Sequence, residues 1–322
     1  MNNLVLEYII TKEDVGKKFI NILKNKMYIS QRLLIKLKNE RAIYFLNAPL
    51  FVNMEVKKED IDKKIFVNLD KVDVEEKEKI DEILNNIEDR EIDILYEDLG
   101  YICVNKPSNV AIHPCSNHRY NTMLEYVQKY MYSKGYKNKI HPVNRLDRET
   151  SGVCIFAKHA YFQENCEIWD KRYIAIVDGN VNEKGIIEKN IAREEGSIML
   201  RCISEDGEYA KTEYHKLGYN EFKNYSVVDI KLYTGRTHQI RVHFKSIGHS
   251  LLGDGLYNLD INRYKYINRV ALHSKGVKFR HKYLNKNIEI EANCPEDIER
   301  LIKGEWLWCF QNLLKRRRKE KG

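Results

Sequence analysis

Asp147 is the first candidate for chemistry in this chain of 322 residues. It lies between Arg145 and Arg148 in the polar segment NRLDRETSG, residues 144–152, just ahead of the apolar run VCIFAK. A carboxylate at the junction of a loop and a buried strand is held by the scaffold and can still face a cleft. Its cationic neighbours favour the ionised form, which suits a nucleophile or a base. The alternative interpretation is an aspartate that caps a turn or pairs with an arginine.

A second cluster of basic and polar side chains occurs in TGRTHQIRVHF, residues 234–244. Its members are Arg236, His238, Gln239, Arg241 and His243. They surround the predicted start of a helix, where free amides and the helix dipole favour an anion. The segment therefore indicates a phosphate-binding corner or a solvated basic helix face. We predict no metal site, because the two histidines are five residues apart and no carboxylate or thiol lies beside them at ligand spacing.

Tyr173 is a third candidate, at the start of the apolar strand in DKRYIAIVDG, residues 170–179. Read alone, this tyrosine is best explained as an ordinary packing residue. The sequence offers no G-x-G-x-x-G or G-x-x-x-x-G-K-[ST] loop, so a nucleotide cofactor has no support. We therefore expect chemistry that needs no cofactor.

The elements that must position these side chains follow from the hydrophobic patterns. From residue 92 onward, strand patterns alternate with irregularly placed helices, which predicts an α+β fold with a mainly antiparallel mixed sheet flanked by helices. The helix that carries Arg241 is predicted to have Thr237 as N-cap and Gly248 at its C-terminal cap. Its predicted buried side is formed by Ile240, Phe244 and Ile247.

The chain divides into four predicted parts. Residues 1–69 contain a strand, two helices and a hairpin, and Ser30 is the predicted N-cap of the second helix. Residues 70–91 are acidic with apolar residues at helical spacing, which predicts a linker helix. Residues 92–314 form the main domain, whose last helix is predicted to begin near Pro295, and residues 315–322 form a basic tail.

Charge is distributed unevenly along these parts. The net charge is +8, with +5 in residues 1–69 and −7 in residues 70–93. Phosphates of a nucleic acid attract clustered lysine and arginine, so RNA or DNA is the obvious partner. The alternative is ordinary solvated surface charge.

Composition excludes several classes of protein. A run of eighteen apolar residues, as a membrane span needs, does not occur, and the N-terminal residues do not resemble a secretory signal. The seven cysteines form no C-x-x-C pair, which is typical of reduced packing residues in a cytosol. We therefore expect a cytoplasmic protein without a membrane partner, and a monomer.

Taken together, these segments resemble the RluA-type pseudouridine synthases over roughly residues 92–302. The resemblance depends on NRLDRETSG, KRYIAIVDG, TGRTHQIRVHF and the following GH-x-L-L-GD-x-LY, in this order. It is supported by VNKPSNVAIHP before them and ALHSKGVKF after them. Residues 12–69 loosely resemble the S4-type RNA-binding domain, a common companion in that family.

The resemblance implies roles for individual residues. Asp147 matches the catalytic aspartate, Tyr173 the tyrosine that stacks on the target base and serves in proton transfer, and Arg241 the basic residue that pairs with the aspartate. Leu252 falls at or beside the apolar residue that lines the uracil pocket. Arg145 matches an arginine that fills the space left by the flipped base.

Other implied contacts concern RNA binding. Arg236, His238 and Gln239 are expected at the substrate, as is Asn144, which replaces the family's usual histidine before R-L-D. The resemblance implies isomerisation of uridine in structured RNA, with ribosomal RNA as first expectation and transfer RNA as the alternative. Asp147 would act as nucleophile or remove the ribose 2′ proton, and the sequence leaves both open. Two rival functions are a non-catalytic RNA-binding protein of the same fold and a glycosidase-like enzyme that acts on free nucleosides.

Overall fold

The computed structural model describes residues 4–114, 120–258 and 266–304. Its α-helices are α1 (Phe19–Asn25), α2 (Gln31–Asn39), α3 (Lys77–Asn86), α4 (Met123–Ser133), α5 (Ala160–Glu164) and α6 (Gln239–Lys245). Residues 296–304 are also helical; the rest of the predicted last helix and the basic tail lie outside the described residues.

Sixteen strands are described in these ranges. They are β1 (Val5–Ile9), β2 (Ile43–Phe45), β3 (Ala48–Pro49), β4 (Lys64–Asn68), β5 (Ile94–Glu97), β6 (Tyr101–Lys106), β7 (His141–Pro142), β8 (Ser151–Ala157), β9 (Cys166–Asp178), β10 (Lys184–Glu188), β11 (Ile191–Arg193), β12 (Arg201–Ile203), β13 (Lys211–Asn220), β14 (Tyr225–Leu232), β15 (Leu272–His281) and β16 (Lys286–Glu291).

The main sheet has ten strands and is almost entirely antiparallel. Its order is β10-β13-β14-β9-β15-β8-β6-β5, with β16 paired to β15 and β7 to β8. One parallel junction joins β8 to β15, where Ser151 is opposite His273. The predicted α+β class with a mainly antiparallel mixed sheet is therefore confirmed. The strands β10 to β13 were not predicted from the sequence, because their short apolar runs are interrupted by charged residues.

The N-terminal residues form a separate four-stranded sheet, in the order β1-β4-β2-β3. The predicted N-cap of α2 is confirmed, since Ser30 Oγ accepts a hydrogen bond from the Leu33 amide at 3.4 Å. Leu34 and Leu37 face inward from α2, and Phe19 does so from α1. We call residues 4–72 the N-terminal module.

The N-terminal module packs directly on one face of the main sheet. Buried residues of both parts, including Leu23, Ile65, Tyr161 and Phe279, form one hydrophobic cluster. Tyr161 Oη donates a hydrogen bond to the Met27 carbonyl across this contact at 2.6 Å. The two parts therefore share a core.

The acidic segment forms the predicted helix, α3, and this helix also packs against the main domain. Ile83 and Ile87 are buried with residues of α4 and the sheet. Lys129 Nζ donates a hydrogen bond to the Ile87 carbonyl at 2.6 Å. Burial of this apolar side explains why an otherwise strongly charged segment is helical.

The start of α6 differs from the prediction. Its N-cap is His238, with φ of 57° in the left-handed region, and not Thr237. The reason is that the side chain of Gln239 folds the preceding loop, since its Oε1 accepts from Thr234 Oγ1 at 2.8 Å and from the Arg236 amide at 3.0 Å. The C-cap is Ser246, two residues before the predicted Gly248.

The predicted buried side of α6 is largely present. Ile240 and Phe244 are buried, while Ile247 is half-buried. Phe244 packs on Tyr214 of β13, with ring centroids 5.2 Å apart. This contact seats α6 on the sheet with its N-terminus toward the loop before β8.

Candidate active site

The loop that carries Asp147 is anchored from both sides. Asn144 Nδ2 donates to the Val153 carbonyl at 3.0 Å, and its Oδ1 accepts from the Ile155 amide at 2.8 Å. Both polar atoms of Asn144 are thus bonded to β8. The amide of Asn144 therefore supports the loop that carries Asp147, and its predicted contact with RNA stays a prediction.

Lys106 holds the other side of the same loop. Its fully buried ammonium donates to the carbonyls of Pro107, Val110 and Arg148, at 2.8, 2.8 and 3.0 Å. Burial lowers the pKa of Lys106 to about 8. Since the Arg148 carbonyl immediately follows Asp147, this lysine limits how far the loop can move.

Arg241 joins Asp147 to a second aspartate. Its guanidinium, 4% exposed, donates from Nε and Nη2 to the buried carboxylate of Asp254 at 2.8 and 2.7 Å. The remaining nitrogen, Nη1, donates to Asp147 Oδ2 at 3.4 Å. Burial by itself would lower the pKa of Arg241, but hydrogen bonds and charge from Asp254 raise it overall. Arg241 is therefore a permanently charged link between a buried and a half-exposed carboxylate.

Asp147 faces a small open cavity of about 80 Å³. This is below the roughly 300–1,000 Å³ of typical small-molecule sites, so the cavity is small. Tyr173 contributes an almost fully buried ring, and burial raises the pKa of its phenol, which stays protonated at neutral pH. The lining residues are Arg145, Leu146, Asp147, Thr150, Tyr173, Leu232, Gly235, Arg236, His238, Gln239, Ile240, Arg241 and Leu272.

Two arginines occupy the exposed rim of this cavity. Arg145 is exposed next to Asp147. Arg236 donates from Nε to the Tyr209 carbonyl at 3.1 Å and pairs with the exposed Glu208. An RNA phosphate could replace Glu208 as the partner of Arg236, since both are oxyanions on the surface.

His238 lies beside Asp147, with Nε2 3.9 Å from Oδ2. Its Nδ1 is 2.8 Å from the hydroxyl of Tyr257, a residue for which the sequence suggested no role. Burial lowers the pKa of His238, while the charge of Asp147 works in the opposite direction. The ring is therefore neutral near pH 7.

Gln239 and Leu252 are both buried. Gln239 Nε2 donates to the Lys211 carbonyl and to Thr212 Oγ1, both at 3.0 Å. Gln239 is also one of the residues that line the cavity, and its predicted contact with RNA stays a prediction. Leu252 packs with Ile174 and Ile176 in another cluster and is not among the residues that line the cavity.

The position of Leu252 away from the cavity has a simple geometric reason. Residues 251 and 252 follow β9 in extended form, through the Leu251–Val177 bridge and the Leu252 amide bonded to the Ile176 carbonyl at 2.9 Å. Neighbouring side chains in an extended segment face opposite sides. Leu272, from β15, lines the cavity instead.

Asp254 and Tyr257 are site residues that sequence reasoning did not assign. Both belong to the segment GH-x-L-L-GD-x-LY, which contributes to the family resemblance. In the sequence, the one feature that could point to Asp254 is its place between two glycines, after a pair of leucines. Only the fold shows that this carboxylate lies under Arg241.

The described residues contain no candidate metal site. Within 4–114, 120–258 and 266–304, no group of three or more His, Cys, Asp or Glu side chains could hold a metal ion. In the same ranges, every helix is too short or too polar to cross a bilayer.

Comparison with known proteins identifies the class. A family model described as RNA pseudouridylate synthase matches residues 100–246. A curated RNA pseudouridine synthase from Bacillus subtilis, YhcT, itself uncharacterised, is 32% identical over 305 residues, which is 92% of this chain and 96% of that protein. The chain therefore belongs to the RNA pseudouridine synthases of the RluA type, and it is an isomerase that acts on RNA.

One further related sequence and one solved structure are also similar to this chain. The ribosomal large subunit pseudouridine synthase D of Zymomonas mobilis is 32% identical over 237 residues, 68% of this chain and 74% of that protein. The structure of human RNA pseudouridylate synthase domain containing 1 superimposes with a TM-score of 0.53 at 23% identity, covering 64% of this chain and 84% of that one. The latter similarity concerns the fold.

Proposed function

We propose that this enzyme converts specific uridines of ribosomal RNA into pseudouridine, with Asp147 as the catalytic carboxylate and without a cofactor. The observation that carries the proposal is the position of Asp147 at a small cavity that the buried Tyr173 also lines, in contact with Arg241. An aspartate that merely capped a turn would not need a charged partner that is itself fixed by a second, buried aspartate.

The reaction needs one well-placed carboxylate. The N1–C1′ bond of uridine breaks, the base rotates, and C5 bonds to C1′; the hydrogen of C5 is lost to solvent and N1 gains a proton. Asp147 acts either by attacking the uridine or by removing the ribose 2′ proton. In both cases it must start ionised, and the guanidinium of Arg241 lies beside it as a hydrogen-bond donor.

Arg241 also sets the orientation of Asp147. Two of its nitrogens are bonded to Asp254, so the direction of Nη1 is fixed before RNA binds. A charge-assisted hydrogen bond from a fixed donor restricts the carboxylate to few rotamers. The catalytic group is thereby oriented in advance, which lowers the entropic cost of reaching the transition state.

The cavity requires the uridine to leave its stack. Extrusion costs a few kcal/mol. Stacking on Tyr173 offsets part of this, by about 1–3 kcal/mol per base. Arg145 and Arg236 both line the cavity. In this proposal Arg145 fills the space that the extruded uridine leaves in the RNA, and Arg236 binds a phosphate at the rim.

Ribosomal RNA is the proposed substrate class, with transfer RNA as the alternative to be tested. Support comes from relatives named as ribosomal large subunit pseudouridine synthase D in Zymomonas mobilis and Vibrio cholerae. The N-terminal module supplies further basic residues on α2. Arg32 is exposed there, whereas Lys36 already pairs with Asp73 at 2.5 Å.

Tritium release from RNA labelled at C5 of uridine tests this proposal. Total ribosomal and transfer RNA, prepared from cells that lack the enzyme, are offered separately to wild type, Asp147→Asn and the control Asp89→Asn. Asp89 is a suitable control because its side chain is 96% exposed. We expect release from ribosomal RNA by wild type and by the control, and a loss of more than about 1,000-fold in Asp147→Asn.

Other outcomes would contradict the proposal in distinct ways. Equal release by wild type and Asp147→Asn would exclude Asp147 as the catalytic group. Free uracil as product would indicate the glycosidase alternative. Release from transfer RNA alone would replace the substrate class. RNA binding should also weaken steeply as salt rises, because counterions are displaced from the phosphates.

A further inference from the structure

His238 is linked to the β11–β12 hairpin through Tyr257. The backbone amide of Arg201, the first residue of β12, donates to Tyr257 Oη at 2.8 Å. The same oxygen lies 2.8 Å from His238 Nδ1. On the opposite side of the ring, His238 Nε2 is 3.9 Å from Asp147 Oδ2. A continuous chain of polar contacts thus runs from the hairpin to the carboxylate.

The partners of Tyr257 favour one tautomer of His238. Tyr257 Oη accepts from the Arg201 amide and has one proton to give. In the described part of the chain, His238 Nδ1 is the acceptor that this proton reaches. Burial raises the pKa of the Tyr257 phenol, so the proton remains on it near neutral pH. A neutral imidazole that accepts at Nδ1 carries its own proton at Nε2, the atom that faces Asp147.

The backbone of His238 limits which residue can replace it. Its φ of 57° lies in the left-handed region, which histidine, asparagine and aspartate adopt more often than other non-glycine residues. Asparagine is therefore the substitution that keeps this backbone while it removes the ring.

We propose that His238 is a positioning residue for this reaction, whose neutral ring presents Nε2–H to Asp147 Oδ2 and, with Arg241, fixes the carboxylate as the uridine enters. The inference deepens the proposed function and depends on it. At 3.9 Å the contact is longer than a hydrogen bond, and a shift of about 1 Å closes it, as often happens between free enzyme and substrate complex.

The charged groups around His238 are consistent with a neutral donor. Arg241 contributes positive charge on the same helix, and its guanidinium lies 5.2 Å from the centre of the Tyr257 ring. Two further charged groups act on the ring: Asp254 raises the pKa of His238, and Arg201 lowers it. A second cation beside Arg241 would be repelled, whereas a neutral N–H adds a donor without adding charge.

The first test reads the tautomer directly, by long-range proton–nitrogen correlation of histidine rings in the full-length protein near pH 7. The His238 signal is assigned by its absence in His238→Gln. We expect a neutral ring protonated at Nε2, and a shift toward a tautomer mixture in Tyr257→Phe, which keeps the aromatic ring. Tyr219→Phe removes a hydroxyl that donates to Asn224 in a surface turn, and it should leave the His238 signal unchanged. A ring protonated at Nδ1, or at both nitrogens, would overturn the inference.

The second test separates positioning from a structural role. His238→Asn suits the left-handed backbone but is too short to reach Asp147, whereas the amide of His238→Gln extends to the position of Nε2. We expect kcat to fall about 10- to 100-fold in His238→Asn with KM within about twofold, and partial recovery in His238→Gln. A merely structural role predicts that asparagine is at least as good as histidine. An inactive wild type would instead contradict the proposed function, so the two failures are distinguishable.

Discussion

Arg241 owes its position to Asp254, which is completely buried. A guanidinium that is 4% exposed would be very costly without such a partner, because its charge has lost most of its hydration. The bidentate contact satisfies two nitrogens and leaves the third for Asp147. At the scale of single residues, the carboxylate of Asp147 is thus supported, through Arg241, by a second carboxylate that is fully buried.

Removing this support should affect stability and activity together. We expect Asp254→Asn to lower the free energy of unfolding by about 3–5 kcal/mol, as when one partner of a buried ion pair is lost. Tritium release should fall strongly, because Nη1 is no longer aimed at Asp147. Urea unfolding and the tritium assay measure the two effects.

A double variant provides the control for Asp254→Asn. Arg241→Met combined with Asp254→Leu removes both charges, so it should regain much of the lost stability. Activity should stay low in the double variant. Recovery of activity without Arg241 would show that the arginine does not act on Asp147.

The residues that meet at the cavity could be predicted from their motifs, but their partners could not. Asp147, Tyr173 and Arg241 line one cavity, as the resemblance implied, and their roles stay predictions. The amide of Gln239 is bonded to Thr212, 27 residues away in the chain, and such a partner has no local signature. The sequence alone therefore does not reveal that the amide of Gln239 has partners inside the protein.

At the scale of elements, Gly152 allows β8 to approach β15. Its φ is +114°, and a Cβ built there would lie 2.2 Å from the Ser274 carbonyl oxygen. The two strands pair in parallel at this point, next to the loop of Asp147. The glycine that ends NRLDRETSG therefore serves close packing of backbones, a reason that the motif itself does not reveal.

Substituting Gly152 tests this contact. Gly152→Ala should destabilise the protein by about 3 kcal/mol or more, because strain adds to a clash with backbone. Gly135→Ala is the matched control, since φ is +87° and nothing lies within 4 Å of the added carbon. There we expect only the strain of about 1–2 kcal/mol. Similar melting temperatures for the two variants would contradict the contact.

Helices, long apolar strands and the N-cap of α2 could be predicted, whereas the ends of α6 and the strands β10 to β13 could not. The periodicity of α2 and α4 is strong enough to indicate them without tertiary information. The boundary of α6 depends on hydrogen bonds made by Gln239 after the chain has folded. The short strands β11 and β12 are stabilised mainly by pairing with each other, so local pattern carried little information.

At the scale of the whole molecule, the N-terminal module and the main domain behave as one packed unit. His159, fully buried, caps α5 by accepting from the Tyr161 amide at Nδ1, and its Nε2 lies 3.8 Å from Asp73 Oδ2. Burial lowers the pKa of His159 to about 4. His159 therefore resists protonation, and it lies against Asp73, which immediately follows the N-terminal module.

This histidine should make stability depend on pH. Above about pH 6.5 the ring is neutral in the folded and unfolded states, so its contribution is complete. Between about pH 6.5 and 4 the unfolded state binds a proton that the folded state does not, and stability falls, by about 3 kcal/mol in total.

His159→Asn should abolish that part of the loss, since asparagine can cap α5 but does not titrate. Urea unfolding between pH 7 and 4 should therefore show a shallower decline in this variant. His215→Asn serves as control, because His215 is half-exposed and lies away from this contact. An unchanged pH dependence in His159→Asn would contradict the prediction.

The active site is also assembled from distant stretches of the chain, which has a consequence during synthesis. Asp147 and Arg241 are 94 residues apart, and His273, which pairs opposite Ser151, comes later still. A ribosome that adds about 5–20 residues per second needs on the order of 5–20 s to cover the first interval. Throughout that time the nascent chain carries its carboxylate without the arginine that fixes it. The contact between Asp147 and Arg241 therefore cannot form until residue 241 has been added, and the pairing that supports the Asp147 loop from β15 waits for residue 273.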